Sequence, residues 1–171
     1  YGNKMIALWA IASELEYFSG YPMTPASSVL TEVIKSGKVP HLQTEDEMAA
    51  SMSALWASFA GKRSMTATSG GGFALMVESI SLCQPAYIPL VINLAQRAGP
   101  STGTPTFHEQ WDLNIALNPS FGDFEHIVLA PSTLENGYYY AGLALNLAQK
   151  YQTLVLLLTD KQFADGKATV D

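Results

Sequence analysis

Short apolar runs alternate along this chain with segments in which apolar residues recur at helical spacing. This alternation predicts parallel strands that are joined by helical crossovers. The runs that predict strands are Tyr17–Gly20, His41–Thr44, Ser64–Thr68, Ile88–Leu94, Ile127–Leu129 and Thr153–Leu158. The run at 88–94 is uninterrupted, as in strands buried on both faces of a parallel sheet. The pattern predicts an α/β fold: a doubly wound, mostly parallel sheet with helices on both faces, forming a single domain over residues 1–171.

Helices are predicted between these strands. We expect them at Lys4–Leu15, from Pro25 to Gly37, directly after Thr44, from Phe73 to about Leu82, around His108–Leu117 and at Thr133–Lys150. The pair Thr24-Pro25 is typical of an N-cap followed by proline at the first helical position. Thr44 and Glu47 match a capping box, so Glu47 is expected to cap the third helix. One face of that helix carries Met48, Met52, Leu55, Trp56 and Phe59.

Charge and cysteine content narrow the possible functions. Nine basic and fifteen acidic residues give a net charge of −6 with histidine neutral, and that field opposes binding to nucleic acids or anionic membranes. Cys83 is the only cysteine, which excludes an internal disulfide and a self-contained iron–sulfur cluster. No apolar run approaches the roughly 18 residues that span a bilayer, and no secretory signal is recognisable, so a cytoplasmic protein is expected. Because the chain opens at Tyr1 without methionine, we expect a piece of a longer polypeptide.

Four loops follow predicted strands, at residues 20–25, 44–47, 68–72 and 95–105. Ligands of open parallel sheets bind at the carboxyl ends of the strands, so these loops are the candidate site. Gly70 to Gly72 stand between a strand and a helix, where backbone N–H groups can cradle a phosphate. Their spacing fits neither GxGxxG nor GxxxxGK[ST], which leaves a tight structural turn as the simpler interpretation. Ser69 and Gly70 remain candidates for lining a site.

Two charged residues in these loops have a structural and a functional interpretation. Glu45 either is a surface acid stabilised by the positive end of the helix dipole, or it points into a cleft and hydrogen-bonds a ligand nitrogen. Arg97 either pairs with a surface acid or clamps a ligand carboxylate with its planar fork. His41, His108 and His126 have no second histidine or cysteine at ligand spacing, so no metal site is expected.

Several motifs stand in and around these loops: Gly20-Tyr21-Pro22-Met23-Thr24-Pro25-Ala26-Ser27-Ser28, Gln43-Thr44-Glu45-Asp46-Glu47-Met48-Ala49-Ala50, Thr66-Ala67-Thr68-Ser69-Gly70-Gly71-Gly72-Phe73-Ala74-Leu75-Met76, Ala95-Gln96-Arg97-Ala98-Gly99-Pro100-Ser101-Thr102-Gly103, Pro105-Thr106, Glu109-Gln110, Asp112-Leu113 and Asn146-Leu147-Ala148-Gln149-Lys150-Tyr151-Gln152. Taken together, they resemble the motifs of the α subunit of 2-oxoacid:ferredoxin oxidoreductases. They occur in the family's order and cover essentially the whole chain. The resemblance implies a pyrimidine-binding domain of the thiamine diphosphate fold, within a longer α chain or a fused γ–α chain.

In that family the domain supplies half of a site. The resemblance implies a β subunit that holds the diphosphate and Mg²⁺ and carries [4Fe-4S] clusters, in a hetero-oligomer. The implied reaction is oxidative decarboxylation of a 2-oxoacid, with electrons passed to ferredoxin and the acyl group to coenzyme A. The sequence agrees by omission, because no Gly-Asp-Gly segment followed by an asparagine is present to bind Mg²⁺ and diphosphate.

The resemblance also implies roles for individual residues. Glu45 is similar to the glutamate that contacts the ring nitrogen of the aminopyrimidine. Thr24 matches a threonine near the substrate's carboxylate and keto oxygen, and Arg97 matches the arginine that pairs with that carboxylate. The remaining residues expected at the cofactor are Tyr21, Pro22, Ser69 and Gly70.

Two alternatives stay open from the sequence. One is a thiamine diphosphate decarboxylase or transferase that does not use ferredoxin, and the other is a non-catalytic, degenerate module that serves assembly or binds a nucleotide. Departures from the family pattern at Asn3-Lys4-Met5 and Trp9 predict that the first helix packs or pairs differently. A further departure at Phe107-His108 leaves the substrate preference open.

Overall fold

The computed structural model describes residues 1–169 and places six strands in one sheet. The strands are β1 (Tyr17–Gly20), β2 (His41–Gln43), β3 (Ser64–Thr68), β4 (Leu90–Gln96), β5 (Ile127–Leu129) and β6 (Leu154–Asp160). Their order across the sheet is β2-β1-β3-β4-β6-β5, and every neighbouring pair is parallel. The predicted α/β class with a doubly wound parallel sheet is confirmed.

Helices connect the strands on both faces. They are α1 (Gly2–Ala12), α2 (Ser27–Ser36), α3 (Glu47–Phe59), α4 (Gly70–Leu75), α5 (Val77–Ser81), α6 (Leu113–Leu117), α7 (Leu134–Tyr151) and α8 (Lys161–Asp165). The helix expected over 73–82 is two short helices separated at Met76, and the helix expected from His108 begins only at Leu113. Gly37 ends α2 in the left-handed conformation, with φ 62°, as its position predicted.

The sheet separates two apolar cores. Val91 and Val155 point into the core beneath α1, α2 and α7. Their neighbours Ile92 and Leu156 point into the core beneath α3, α4 and α5. Side chains of a strand alternate between faces, so β4 and β6 are apolar on both sides because both sides are covered.

The predicted start of α2 is wrong. Helix α2 begins at Ser27 with Ala26 as its N-cap, so Thr24 does not cap it and Pro25 precedes the helix. The carbonyl of Pro25 is instead held by the side chain of Asn3, whose Nδ2 donates to it at 2.8 Å. The turn at 21–25 is therefore stabilised by a tertiary contact, which the local pattern does not contain.

The capping box at α3 is also wrong. Asp46 is the N-cap, and its Oδ1 accepts the backbone N–H of Ala49 at 2.7 Å. Thr44 Oγ1 donates to the carbonyl oxygen of Asp46 at 2.8 Å and does not cap the helix. The side chain of Glu47 is left with no capping role.

The strand order creates a crevice between β1 and β3. The chain leaves β1 toward β2 on one side and leaves β3 toward β4 on the other. The two loops diverge at the carboxyl ends of these neighbouring strands, which is where doubly wound sheets bind ligands. The fold thereby brings the loops at 20–25 and 68–72 to one place, with those after β2 and β4 on either side.

Candidate functional site

Three buried polar atoms without a hydrogen-bond partner lie around this crevice. They are Glu47 Oε1, Ser69 Oγ and Asp112 Oδ2. A buried polar group that is left unpaired costs about 1–3 kcal/mol, so three of them beside one crevice indicate a site that a ligand completes. Each follows or adjoins the carboxyl end of a strand.

Glu47 is the acid that the fold buries. It begins α3 and is only 3% exposed. Its side chain packs against Gly72, where an added Cβ would lie 2.6 Å from Glu47 Cγ and 2.7 Å from Oε1. Such a Cβ would also collide with Thr68 Oγ1. The glycine at 72 therefore leaves the space that the carboxyl of Glu47 occupies.

The side chain of Glu45, in contrast, is exposed to solvent. The hypothesis for Glu45 required a carboxyl group that is buried at a strand end, and in this structure Glu47 meets that requirement. The two residues differ because Asp46 takes the N-cap position, which turns the following residue toward the sheet and leaves the preceding one in solvent. Sequence reasoning missed this difference, since both acids occupy the same strand–helix junction.

Arg97 directly follows β4 and is a buried cation, 6% exposed. Its Nη1 donates to the carbonyl oxygen of Thr24 at 2.7 Å, and its Nη2 reaches that of Thr102 at 3.4 Å. Within residues 1–169 no carboxylate oxygen lies within 4.0 Å of the Arg97 guanidinium. Both recorded partners are neutral, and a guanidinium has five N–H donors, so Arg97 keeps the charge and the donors to bind an anion.

The turn after β1 supplies the exposed rim. Tyr21, Pro22 and Thr24 are all exposed. The turn is nonetheless fixed from two sides, because Arg97 holds the carbonyl of Thr24 and Asn3 holds that of Pro25. The rim residues are therefore free to contact a ligand while their backbone is held.

Ser69 and Gly70 form the turn between β3 and α4. Ser69 is fully buried, and although it occupies the N-cap position its hydroxyl makes no capping bond. Gly70 faces Asp112, whose carboxylate fills the space that a Cβ would need. The hydroxyl of Ser69 is thus one of the groups available to a ligand in the crevice.

Asp112 was not among the candidate residues of the sequence, although it stands in the Glu-Gln-x-Asp-Leu segment that carried part of the resemblance. Burial raises the pKa of its carboxyl group, while the backbone of Arg97, the charge of Arg97 and the backbone of Gly70 oppose that shift. The signal that reveals Asp112 is its contact with Gly70, which no local pattern contains.

Other features of the described residues are structural. Cys83 is buried in the core beneath α3 to α5, and burial raises the pKa of its thiol to about 12. Among residues 1–169, no three His, Cys, Asp or Glu side chains group as metal ligands. No helix there is long and apolar enough to cross a membrane.

Comparison with known proteins adds a family. Residues 9–171 match the family described as pyruvate flavodoxin/ferredoxin oxidoreductase, thiamine diP-binding. The chain is 41% identical to the 2-oxoacid:ferredoxin oxidoreductase 1 subunit alpha of Aeropyrum pernix, over 99% of this chain and 28% of that protein. It is 39% identical to the 2-oxoglutarate synthase subunit KorA of Methanocaldococcus jannaschii, over 94% of this chain and 44% of that protein.

A solved structure agrees with these sequences. The 2-oxoglutarate:ferredoxin oxidoreductase from Magnetococcus marinus, with 2-oxoglutarate, coenzyme A and succinyl-CoA bound, matches with a TM-score of 0.91 and 42% sequence identity. The match covers 95% of this chain and 29% of that one. The present chain therefore spans between about a quarter and a half of the length of these relatives.

Proposed function

The chain belongs to the pyruvate flavodoxin/ferredoxin oxidoreductase family, and on that premise we propose that it is the pyrimidine-binding domain of a thiamine diphosphate-dependent 2-oxoacid:ferredoxin oxidoreductase. The whole enzyme converts a 2-oxoacid and coenzyme A to an acyl-CoA and carbon dioxide, and reduces ferredoxin. The present residues form one domain of a longer α or fused γ–α chain. The observation that carries the proposal is the unpartnered buried carboxyl of Glu47 at the carboxyl edge of the sheet.

The residues present fit the pyrimidine half of thiamine diphosphate. A heteroaromatic ring nitrogen needs a hydrogen-bonding partner inside a dry site, and Glu47 Oε1 is a buried atom that lacks one. Ser69 Oγ is a second such atom on the adjoining turn. When bound, thiamine diphosphate supplies the carbon nucleophile that attacks the keto carbon of the substrate.

We assign to Glu47 the role that the sequence suggested for Glu45. A carboxyl group that shares a proton with the pyrimidine ring acts as a general acid through the cofactor, and it must be withdrawn from water. Glu47 is buried and Glu45 is exposed. Ser69 and Gly70 border the same ring, while Tyr21 and Pro22 close the rim.

Arg97 and Thr24 form the substrate side of the proposed site. Arg97 is a buried cation with neutral partners, which suits it to the carboxylate of a 2-oxoacid. The exposed hydroxyl of Thr24 can donate to the keto oxygen, and the Arg97–Thr24 bond sets the distance between the two groups. Activity toward a panel of 2-oxoacids would identify the side chain that the site accepts.

The domain needs a partner, and α3 displays a surface for one. Trp56 and Phe59 are 50% and 64% exposed and pack edge to face with ring centroids 5.4 Å apart. Met48 and Leu75 extend this surface toward the crevice. We call Met48, Trp56, Phe59 and Leu75 the α3 surface. Exposed apolar side chains that adjoin a site are typical of a protein interface.

The proposed occupant of the α3 surface is a β subunit that carries the diphosphate half of the site. That subunit would also hold Mg²⁺ and the [4Fe-4S] clusters, because the single cysteine of this chain is buried in its core. The electron acceptor is ferredoxin, and the assembly is a cytoplasmic hetero-oligomer.

The test is reduction of a viologen dye by the full-length chain, co-expressed with its partner subunit and supplied with thiamine diphosphate, coenzyme A and a panel of 2-oxoacids. We expect Glu47→Gln to lower kcat by about 10²–10⁴, and the matched Glu45→Gln to stay within about twofold of wild type, since an exposed residue contributes little. Loss of activity in Glu45→Gln alone would assign the role of general acid to Glu45. An intact, cofactor-loaded complex with no activity toward any 2-oxoacid would contradict the proposed function.

A further inference from the structure

Asp112 joins the two sides of the site. It precedes α6, and its backbone N–H donates to Gln96 Oε1 at 3.1 Å, which holds its main chain against the end of β4. Its side chain reaches the turn between β3 and α4, where an added Cβ at Gly70 would collide with Oδ1 and lie 2.7 Å from Oδ2. One residue therefore contacts the ends of two neighbouring strands.

Asp112 is held at one strand end and packs against the other. Burial raises the pKa of its carboxyl group, while the backbone and the guanidinium charge of Arg97 and the backbone of Gly70 oppose that shift. The bond to Gln96 and the close approach to Gly70 thereby link the strand end next to Arg97 to the Ser69–Gly70 turn.

The environment of Asp112 destabilises its carboxylate. Its Oδ2 is buried and has no partner. No oxygen of Asp112 lies within the 4.0 Å of an ion pair with Arg97. Asparagine would avoid the cost of a half-buried charge, so the charge itself has to be accounted for.

We propose that Asp112 is a positioning residue, which holds Arg97 and the Ser69–Gly70 turn in register and limits the positive potential that Arg97 presents to an anion. The inference deepens the proposed function and rests on it, since Arg97 faces the substrate only in that proposal. Its negative charge weakens the grip of Arg97 on a carboxylate, which allows unreacted 2-oxoacid to leave.

The test compares Asp112→Asn with Asp123→Asn in the full-length chain with its partner subunit. Asp123 is an exposed loop carboxylate, so the second variant makes the same chemical change away from the crevice. The first readout is hydrogen exchange of the segments 69–72 and 96–98, which needs no activity. We expect both segments to exchange faster in Asp112→Asn and neither to change in Asp123→Asn.

The second readout is the split between kcat and KM. We expect Asp112→Asn to lower kcat at least about tenfold through misplacement of the two sides. Its KM for the 2-oxoacid should stay level or fall, because Arg97 loses a neighbouring negative charge. A residue that merely stabilises the fold would lower the yield of folded complex and leave kcat per loaded site unchanged.

The outcomes separate the two proposals. Unchanged exchange in either segment, or kcat and KM equal to those of Asp123→Asn, would overturn the role of Asp112 while the wild-type activity still supports the proposed function. An inactive wild-type complex would contradict the proposed function, and the exchange data alone would then decide the structural tie. If Asp112→Asn fails to fold, Gln96→Met, which removes the acceptor of the Asp112 backbone N–H at similar side-chain volume, replaces it in both readouts. The tie predicts faster exchange of both segments in Gln96→Met, and unchanged exchange would overturn it.

Discussion

Arg97 Nη1 and the carbonyl oxygen of Thr24 are joined by a 2.7 Å hydrogen bond across 73 positions of the chain. The bond connects the end of β4 to the turn after β1, two strands that are separated by β3. It uses one of five guanidinium donors, so the same side chain can fix the turn and still bind a carboxylate.

Replacing Arg97 by leucine should weaken the binding of 2-oxoacids. We expect KM to rise about ten- to a hundredfold, because a charge-assisted bond to a carboxylate is worth about 1.5–3 kcal/mol. The Kd of thiamine diphosphate, measured by fluorescence titration of the full-length complex, should change by less than about threefold, since the proposed cofactor contacts are made by Glu47 and Ser69 and not by Arg97.

The control for this change is Arg63→Leu. Arg63 precedes β3 at the opposite edge of the sheet and donates from Nη2 to Asn146 Oδ1. The Arg63→Leu substitution should leave the KM for the 2-oxoacid and the Kd of the cofactor unaltered. If Arg97→Leu weakened cofactor and substrate binding equally, the role of Arg97 would be to hold the structure of the site and not to bind the substrate carboxylate.

Adjacent glycines should respond in opposite ways to alanine. In Gly72→Ala the new methyl group would meet Glu47 and Thr68, and we expect a loss of about 1–3 kcal/mol of stability together with weaker cofactor binding. At Gly71 the nearest atom to an added Cβ is the Ser101 carbonyl oxygen at 3.8 Å, so alanine fits. Gly71→Ala should be neutral, or stabilising by about 0.5–1 kcal/mol, because it lies within a helix.

Thermal unfolding and cofactor titration of the full-length chain would compare the two glycine variants. The matched pair makes the result specific, since both add one methyl group to the same helix. Normal cofactor binding by Gly72→Ala would mean that the carboxyl of Glu47 does not face the ligand.

The α3 surface should control assembly. Aromatic residues at the centre of an interface each contribute about 2 kcal/mol or more, so Trp56→Ser with Phe59→Ser should weaken association with the partner subunit at least about thirtyfold. Folding should be little affected, because both side chains are at least half exposed. Sedimentation of the full-length chain with its partner would measure the loss.

Tyr139→Ser is the matched change on the other face of the sheet. Tyr139 lies on α7 and is 60% exposed, so its replacement by serine removes an exposed aromatic ring far from α3. Assembly by this variant should equal that of wild type. Loss of assembly in both variants to the same degree would indicate a general effect of exposed aromatic residues and would contradict an α3-specific interface.

Most of the fold was predictable because its signals are local or periodic. The bounds of β1, β3 and β5 match the predicted strands, and the two-sided apolar character of β4 and β6 follows from covering helices on both faces. The irregular segment after β4 was marked by glycine and proline, which exclude regular structure. Helix starts were predicted less well, because Pro25 and Thr44 both match capping patterns that the structure does not use: a tertiary bond from Asn3 holds Pro25, and the Thr44 hydroxyl bonds locally to Asp46.

By itself, the sequence determined the class of the sheet, the four loops at its carboxyl edge and the family resemblance, because each depends on residue order and periodicity. Only the tertiary structure decided which acid of the α3 junction is buried, since Asp46 caps the helix and directs Glu47, and not Glu45, toward Gly72. It also revealed Asp112, whose contact with Gly70 joins residues far apart in the chain. Burial and the sharing of hydrogen bonds are properties of the packed molecule, and a linear pattern records neither.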